Sequence, residues 1–195
     1  MFLIRTNIFQ YIHTSLCIAE VLVILARYDS TNPISRSVLS ELVFSGTDSP
    51  TNIDLTPAFM VGSILTISGA MLRFYCFQTL GRLFTFEFCI RKDHKLITHG
   101  PYAYVRHPSY TGCLLNQTGV FLCHLTSGSW LRECGVLTEW SIGMPLLGWF
   151  ILTTIRCLYL FDRSKEEDKA LRKEFGVQWD KWVKNVPYRI IPGVF

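Results

Sequence analysis

At 195 residues the chain is long enough for one domain, or one small domain with appendages. Apolar residues make up 49% and charged residues only 17%, against roughly 25% charged in soluble chains, and the apolar residues fall in long blocks. That pattern argues against a water-soluble globule and for a membrane protein, and a net charge of +4 gives no reason to expect a nucleic-acid partner.

The first block, Ile8 to Ala26, holds 19 residues and would extend about 28 Å as a helix, close to a bilayer core. Arg5 precedes it, but Ala26-Arg27-Tyr28 is a poor cleavage site and the run exceeds a signal-peptide core, so it reads as a signal anchor. His13 and Glu20 lie inside it, and ionisable groups at such depth are costly unless they face a partner or a cavity. Glu20 fits either a structural hydrogen bond or a catalytic cavity. Tyr28 to Thr56 is polar, with Pro33 and Pro50, and reads as a loop with at most a short helix at Arg36–Phe44.

Pro57 to Leu80 is the second span, with Pro57 suited to a first helical turn. Gly62 and Gly69 would let another helix approach closely, and Arg73 is placed to snorkel. A polar loop follows from Gly81 to Tyr110. Tyr110 to Thr126 is the third span, Ser127 to Glu139 a connector, and Ile142 to Phe161 the fourth span. The predicted fold is therefore all-α, a multi-span helical membrane protein of about four transmembrane helices. Residues 1–56 form an N-terminal span with its polar loop, and residues 57–195 form the core.

Lysine and arginine set the orientation. The 81–110 loop carries Arg82, Arg91, Lys92, Lys95 and Arg106, and the tail carries eight more basic residues from Arg163 to Arg189. The other two connectors hold only Arg27, Arg36 and Arg132. Both termini, the central loop and the tail are then expected on the cytosolic side.

The loop from His94 to Tyr110 concentrates three histidines, two basic residues and three tyrosines between apolar spans. Gly100-Pro101 and His107-Pro108 break helical structure, so an irregular, donor-rich loop leads into the next helix near Ser109. In the tail, Ser164 and Glu167 fit a capping box opening a new helix. Alternatively Arg163 and Glu167, four apart, share one face of a continuous helix, and pair with each other or with two parts of a zwitterionic ligand. Leu171, Phe175, Trp179, Trp182 and Val183 recur at helical spacing, and the two tryptophans suit an interfacial belt. Seven cysteines, odd in number and mostly inside apolar runs, show no C-x-x-C spacing and no His-Cys cluster. They read as small buried apolar residues, and no metal site is expected.

The run His-Gly-Pro-Tyr-x-Tyr-Val-Arg-His-Pro-Ser-Tyr-x-Gly at 99–112 resembles the signature of isoprenylcysteine carboxyl methyltransferases. Arg163, Glu166-Glu167, Phe175-Gly176, Trp179 and Val186-Pro187 are similar to that family's C-terminal pattern. The resemblance covers Gly69 to Pro192, and phospholipid N-methyltransferases share a looser version. It implies a multi-pass enzyme of the endoplasmic reticulum membrane, with its active site facing the cytosol. The reaction implied is methylation of the C-terminal carboxylate of prenylated cysteine in CaaX-type proteins by S-adenosylmethionine, in a cofactor pocket formed by the loop and the C-terminal helix. The cofactor-binding positions it implies are Glu87 (where the family has Gln), His94, Lys95, Leu96, Ile97, Tyr102, His107, Pro108, Ser109, Tyr110 and Glu167. Arg163 would meet the substrate carboxylate. The chain's own last residues, Pro192 to Phe195, contain no Cys and hence no C-a-a-X signal.

The residues suit that chemistry. Tyr102, Tyr104 and Tyr110 offer aromatic faces to a sulfonium, worth about 0.5–2 kcal/mol each when desolvated. Glu167 suits the cofactor ammonium, and His94 or His107 with loop N–H groups its carboxylate. A carboxylate nucleophile with a pKa near about 3.5 is already ionised, so no general base is required. Rate would come from alignment and from removal of water, with Arg163 as a bidentate grip on the anion. His99 reads as loop scaffold, and Arg106 as either a phosphate clamp or a loop anchor through backbone carbonyls. Two alternatives stand beside this reading: a phospholipid N-methyltransferase, whose amine nucleophile must lose a proton, and a non-catalytic four-span protein.

Overall fold

The computed structural model describes residues 2–44, 52–83 and 95–194, and among them every regular element is helical. The helices are α1 (Phe2–Tyr28), α2 (Pro33–Leu42), α3 (Pro57–Leu80), α4 (Pro108–Leu125), α5 (Trp130–Glu133), α6 (Trp140–Phe175) and α7 (Val177–Asn185). Short 3-10 turns occupy Gly81–Leu83 and Gly100–Ala103. Two compact units divide the chain. One comprises residues 1–62 and 121–150, the other 63–120 and 151–195.

Three stretches are long and apolar enough to cross a bilayer: Gln10–Tyr28, Pro57–Leu83 and Trp140–Phe175. Only 22%, 17% and 17% of their apolar windows are buried within the protein, so most of that surface is left for lipid. α4 stands where the third span is expected but is more polar, because Asn116, Gln117 and His124 interrupt it. Those groups find partners within the protein. Asn116 Nδ2 donates to the Thr66 carbonyl at 3.4 Å and Gln117 Nε2 to Thr153 Oγ1 at 3.0 Å. Polar side chains used this way join helices where water is scarce.

In the first unit, α1 packs against α2 and α5. Asn32 caps α2, accepting from the Ile34 N–H at 2.9 Å, and Pro33 takes the first position, so the helix starts three residues before the expected Arg36. Glu20 is buried and accepts from the Trp130 N–H at 3.1 Å, while Trp130 Nε1 donates to the Leu42 carbonyl. That is the structural hydrogen bond among the two readings of Glu20. A cavity of about 540 Å³ bordered by Glu20, Arg27, Asp54 and Phe59 includes none of the central-loop residues.

In the second unit, α3 and α4 touch backbone to backbone. A Cβ on Gly69 would lie 2.6 Å from the Gly112 carbonyl oxygen and 2.7 Å from the Asn116 nitrogen. Since those atoms are backbone, they have little room to yield. Gly69→Ala is expected to destabilise the protein by about 1–3 kcal/mol in thermal melts. Gly148→Ala, where nothing lies within 4 Å, is the neutral comparison. Arg73 does not snorkel: its NH1 approaches the Ser109 carbonyl and Cys113 Sγ on α4.

Of the two readings of the tail, α6 has the continuous helix and not the capping box at Ser164. The helix runs unbroken from Trp140 to Phe175, and the fully buried Ser164 hydroxyl donates to the Phe161 carbonyl instead of capping. Lys, Glu, Ala, Leu and Arg after Phe161 are strong helix formers, so the helix continues past the apolar run. It ends at Gly176, whose φ of +49° disfavours other residues, and α7 starts at the next position.

Candidate functional site

The second unit brings the central loop against the tail. Arg106 N–H donates to the Tyr188 carbonyl at 3.0 Å and His107 N–H to the Arg189 carbonyl at 2.8 Å. Thr111 Oγ1 adds a bond to the Ile190 carbonyl at 2.5 Å. Pro108 then opens α4, so His107 and Tyr110 flank the start of that helix, their rings stacked at 5.5 Å.

Opposite them stand two adjacent carboxylates of α6. Glu167 Oε1 accepts from Tyr110 OH at 2.6 Å and from Arg163 Nε at 2.9 Å, while its Oε2 lies 3.4 Å from His107 Nδ1. Asp168 Oδ1 lies 3.0 Å from His107 Nε2, and its Oδ2 meets Arg189 Nε at 2.9 Å and Arg106 NH2 at 3.4 Å. Both imidazole nitrogens therefore face carboxylates. Burial pulls the His107 pKa down, but hydrogen bonds and charge from Asp168 and Glu167 outweigh it, and the net shift is upward from 6.5.

The sign of the pH dependence follows. The folded pKa exceeds the ordinary value, so the stabilisation is fully present below about 6.5 and is lost as pH rises through the raised folded value. Unfolding free energy is expected to fall with rising pH across that window, and His107→Gln is expected to flatten the slope in denaturation measured at successive pH values.

Beneath the ion pairs lies an aromatic cluster of Cys76, Tyr102, Trp179, Trp182 and Val186, with Leu96 and Ile97 packed on it. Trp182 Nε1 donates to the Tyr102 carbonyl at 3.2 Å. Burial, with Cys76 and Glu167 nearby, raises the Tyr102 phenol pKa and keeps it neutral. The tryptophans are buried rather than forming an interfacial belt, because α7 turns their face onto the loop. Two buried donors, Arg106 Nε and Trp179 Nε1, have no hydrogen-bond partner among the described residues, and the Arg106 guanidinium lies 5.9 Å from the Trp179 ring.

The structure thus gathers Leu96, Ile97, Tyr102, His107, Pro108, Tyr110, Arg163 and Glu167. Lys95 is exposed, and Ser109 takes part through its carbonyl, which Arg73 approaches. Tyr104 is 76% exposed and offers no face to the cluster. Glu87 and His94 lie outside the described residues. The Arg106 side chain is buried and pairs with Asp168 at 3.4 Å. Sequence reasoning missed Asp168 and Arg189. The signal was the acidic triplet Glu166-Glu167-Asp168, which holds two carboxylates beyond the one that a capping box uses.

Long lipid-exposed helices define a multi-pass helical membrane protein, here with a buried charged cluster beside an aromatic one. Residues 61–132 match the model of the isoprenylcysteine carboxyl methyltransferase (ICMT) family, in agreement with the resemblance carried by the 99–112 run. The chain is 31% identical over 130 residues to protein-S-isoprenylcysteine O-methyltransferase B of Arabidopsis thaliana, covering 65% of this chain and 55% of that protein. It is 33% identical over 101 residues to the protein-S-isoprenylcysteine O-methyltransferase of Schizosaccharomyces pombe, covering 49% and 33%. A Delta(14)-sterol reductase of Mus musculus is 30% identical over 101 residues, covering 52% of this chain and 20% of the reductase. The chain spans about half the length of the first plant methyltransferases it matches.

Proposed function

We propose that the protein methylates the C-terminal carboxylate of prenylated cysteine in CaaX-type proteins, with S-adenosylmethionine as methyl donor. Residues 57–195 form the catalytic core, in the endoplasmic reticulum membrane, with the site facing the cytosol. One observation carries this reading: Tyr110 and His107 of the signature run converge on Glu167, and Glu167 in turn on Arg163. The similarity to proteins named isoprenylcysteine methyltransferases supports it.

The residues fit such a cofactor. Glu167 provides a carboxylate for an ammonium, and the orphaned donors Arg106 Nε and Trp179 Nε1 seek acceptors such as a carboxylate. Bound S-adenosylmethionine would supply the methyl group as a sulfonium electrophile. Tyr102, Trp179 and Trp182 give apolar and aromatic surface for the ring and the cation. His107, its pKa raised by the two carboxylates it faces, holds Glu167 and Asp168 in place. Arg163, 26% exposed in its side chain, remains accessible to a substrate carboxylate. No group need accept a proton, because the nucleophile is already an anion.

The test uses membranes bearing the protein, labelled S-adenosylmethionine, and either N-acetyl farnesylcysteine or phosphatidylethanolamine. Base-labile label on the prenylcysteine is the expected result. Label in the lipid amine would instead mark a phospholipid N-methyltransferase, and no turnover without cofactor binding a non-catalytic protein.

A further inference from the structure

We propose that His13, Cys17 and His124, all in the first unit, form a binding site for one zinc-class cation. The site lies beyond the methyltransferase reading and uses none of its residues.

His13 and Cys17 stand one turn apart on the same face of α1, and His124 is the penultimate residue of α4. Cys17 Sγ is 3.9 Å from His13 Nε2 and 3.9 Å from His124 Nε2, and all three donor atoms lie within 4.8 Å of one another. Zinc at about 2.0–2.1 Å from nitrogen and about 2.3 Å from sulfur holds its tetrahedral ligands roughly 3.3–3.6 Å apart. The two cysteine–histidine separations of 3.9 Å need to contract by only a few tenths of an ångström, while His13 and His124, within 4.8 Å of each other, close by up to about 1.4 Å. As hydrogen bonds, contacts of 3.9 Å are long, so the thiol gains little from the two imidazoles without a cation.

A second observation points the same way. Glu20 Oε2 lies 3.6 Å from His124 Nδ1, on the ring edge away from Cys17. At 3.6 Å this is an ion-pair contact rather than a formed hydrogen bond; drawn closer when the ring ligates a metal, such a carboxylate would hold the proton on Nδ1 and leave the Nε2 lone pair for the cation. Glu20 Oε1 is itself held by the Trp130 N–H. Two nitrogens and a thiolate suit zinc rather than magnesium or calcium, which take oxygen. On binding, the hydrated cation exchanges waters for one metal–sulfur and two metal–nitrogen bonds and keeps one water as its fourth ligand, the Cys17 proton leaves with the released water, and α1 is tied to the end of α4.

The full chain, purified in detergent, is stripped with a chelator, reloaded with Zn²⁺ and gel-filtered, and its metal counted. A parallel sample takes Co²⁺ as a spectroscopic probe. About one metal per chain is expected, with a thiolate-to-cobalt charge-transfer band. Cys17→Ser is expected to lose the band while Cys157→Ser, in the other unit, keeps it. Glu20→Gln, which can still accept from Trp130, is expected to weaken zinc binding by roughly 10–100-fold. The proposal is overturned if the unaltered chain retains no metal, or if Cys17→Ser keeps the band, or if Cys157→Ser alone removes it.

Discussion

Arg163→Ala is expected to cut turnover by roughly 10²–10³-fold while leaving S-adenosylmethionine binding nearly unchanged, the loss expected when a charge clamp acts at the reacting end. Glu167→Ala is expected to do the reverse and weaken cofactor binding first. The reason is in their partners. Glu167 holds three donors, so without Arg163 its carboxylate still accepts from Tyr110 at 2.6 Å and faces His107 at 3.4 Å. Without Glu167, all three lose their shared acceptor at once, and the cofactor ammonium loses its counter-charge. Equilibrium binding of labelled cofactor, set beside kcat and KM for N-acetyl farnesylcysteine, separates the two effects. If both variants keep full activity, the Arg163–Glu167 bridge at 2.9 Å is only a brace on α6.

Much of this arrangement was legible in the residues, and the misses have physical causes. α3 begins and ends where Pro57 and the apolar run placed it, because local propensity and hydropathy change together there. At Phe161 they part. Hydropathy falls while helix propensity stays high, and no Gly or Pro stands between Gly148 and Gly176, so one helix runs through both and the continuous-helix reading holds over the capped segment. Glu167 was accessible through its spacing from Arg163. Asp168 was not, since its partners Arg106 and Arg189 are distant along the chain, and an acidic triplet reads as a solvated face until a fold buries it. The same holds for His124, 107 positions from Cys17. Pairing at such range is set by packing, which no local pattern encodes.

Asp168→Ala is expected to be among the most destabilising single changes in the second unit. Asp168 is 4% exposed and receives Arg189, Arg106 and the imidazole of His107. Removing it leaves cations facing one another in a site poor in water, and breaking such a buried pair costs about 3–5 kcal/mol. For a chain of this size that corresponds to a fall of about 10 °C in Tm. Asp168→Asn keeps the shape and an acceptor but drops the charge, so its loss should be smaller. A cycle with Arg189→Ala distinguishes the pair from simple packing: the double variant should lose less than the sum of the two singles, because Arg189 no longer lacks a counter-ion. His107 gives a second readout, since losing Asp168 removes one of the two carboxylates that raise its pKa. The pH at which stability declines should therefore move down in Asp168→Asn, while an effect of packing alone would lower Tm without moving it.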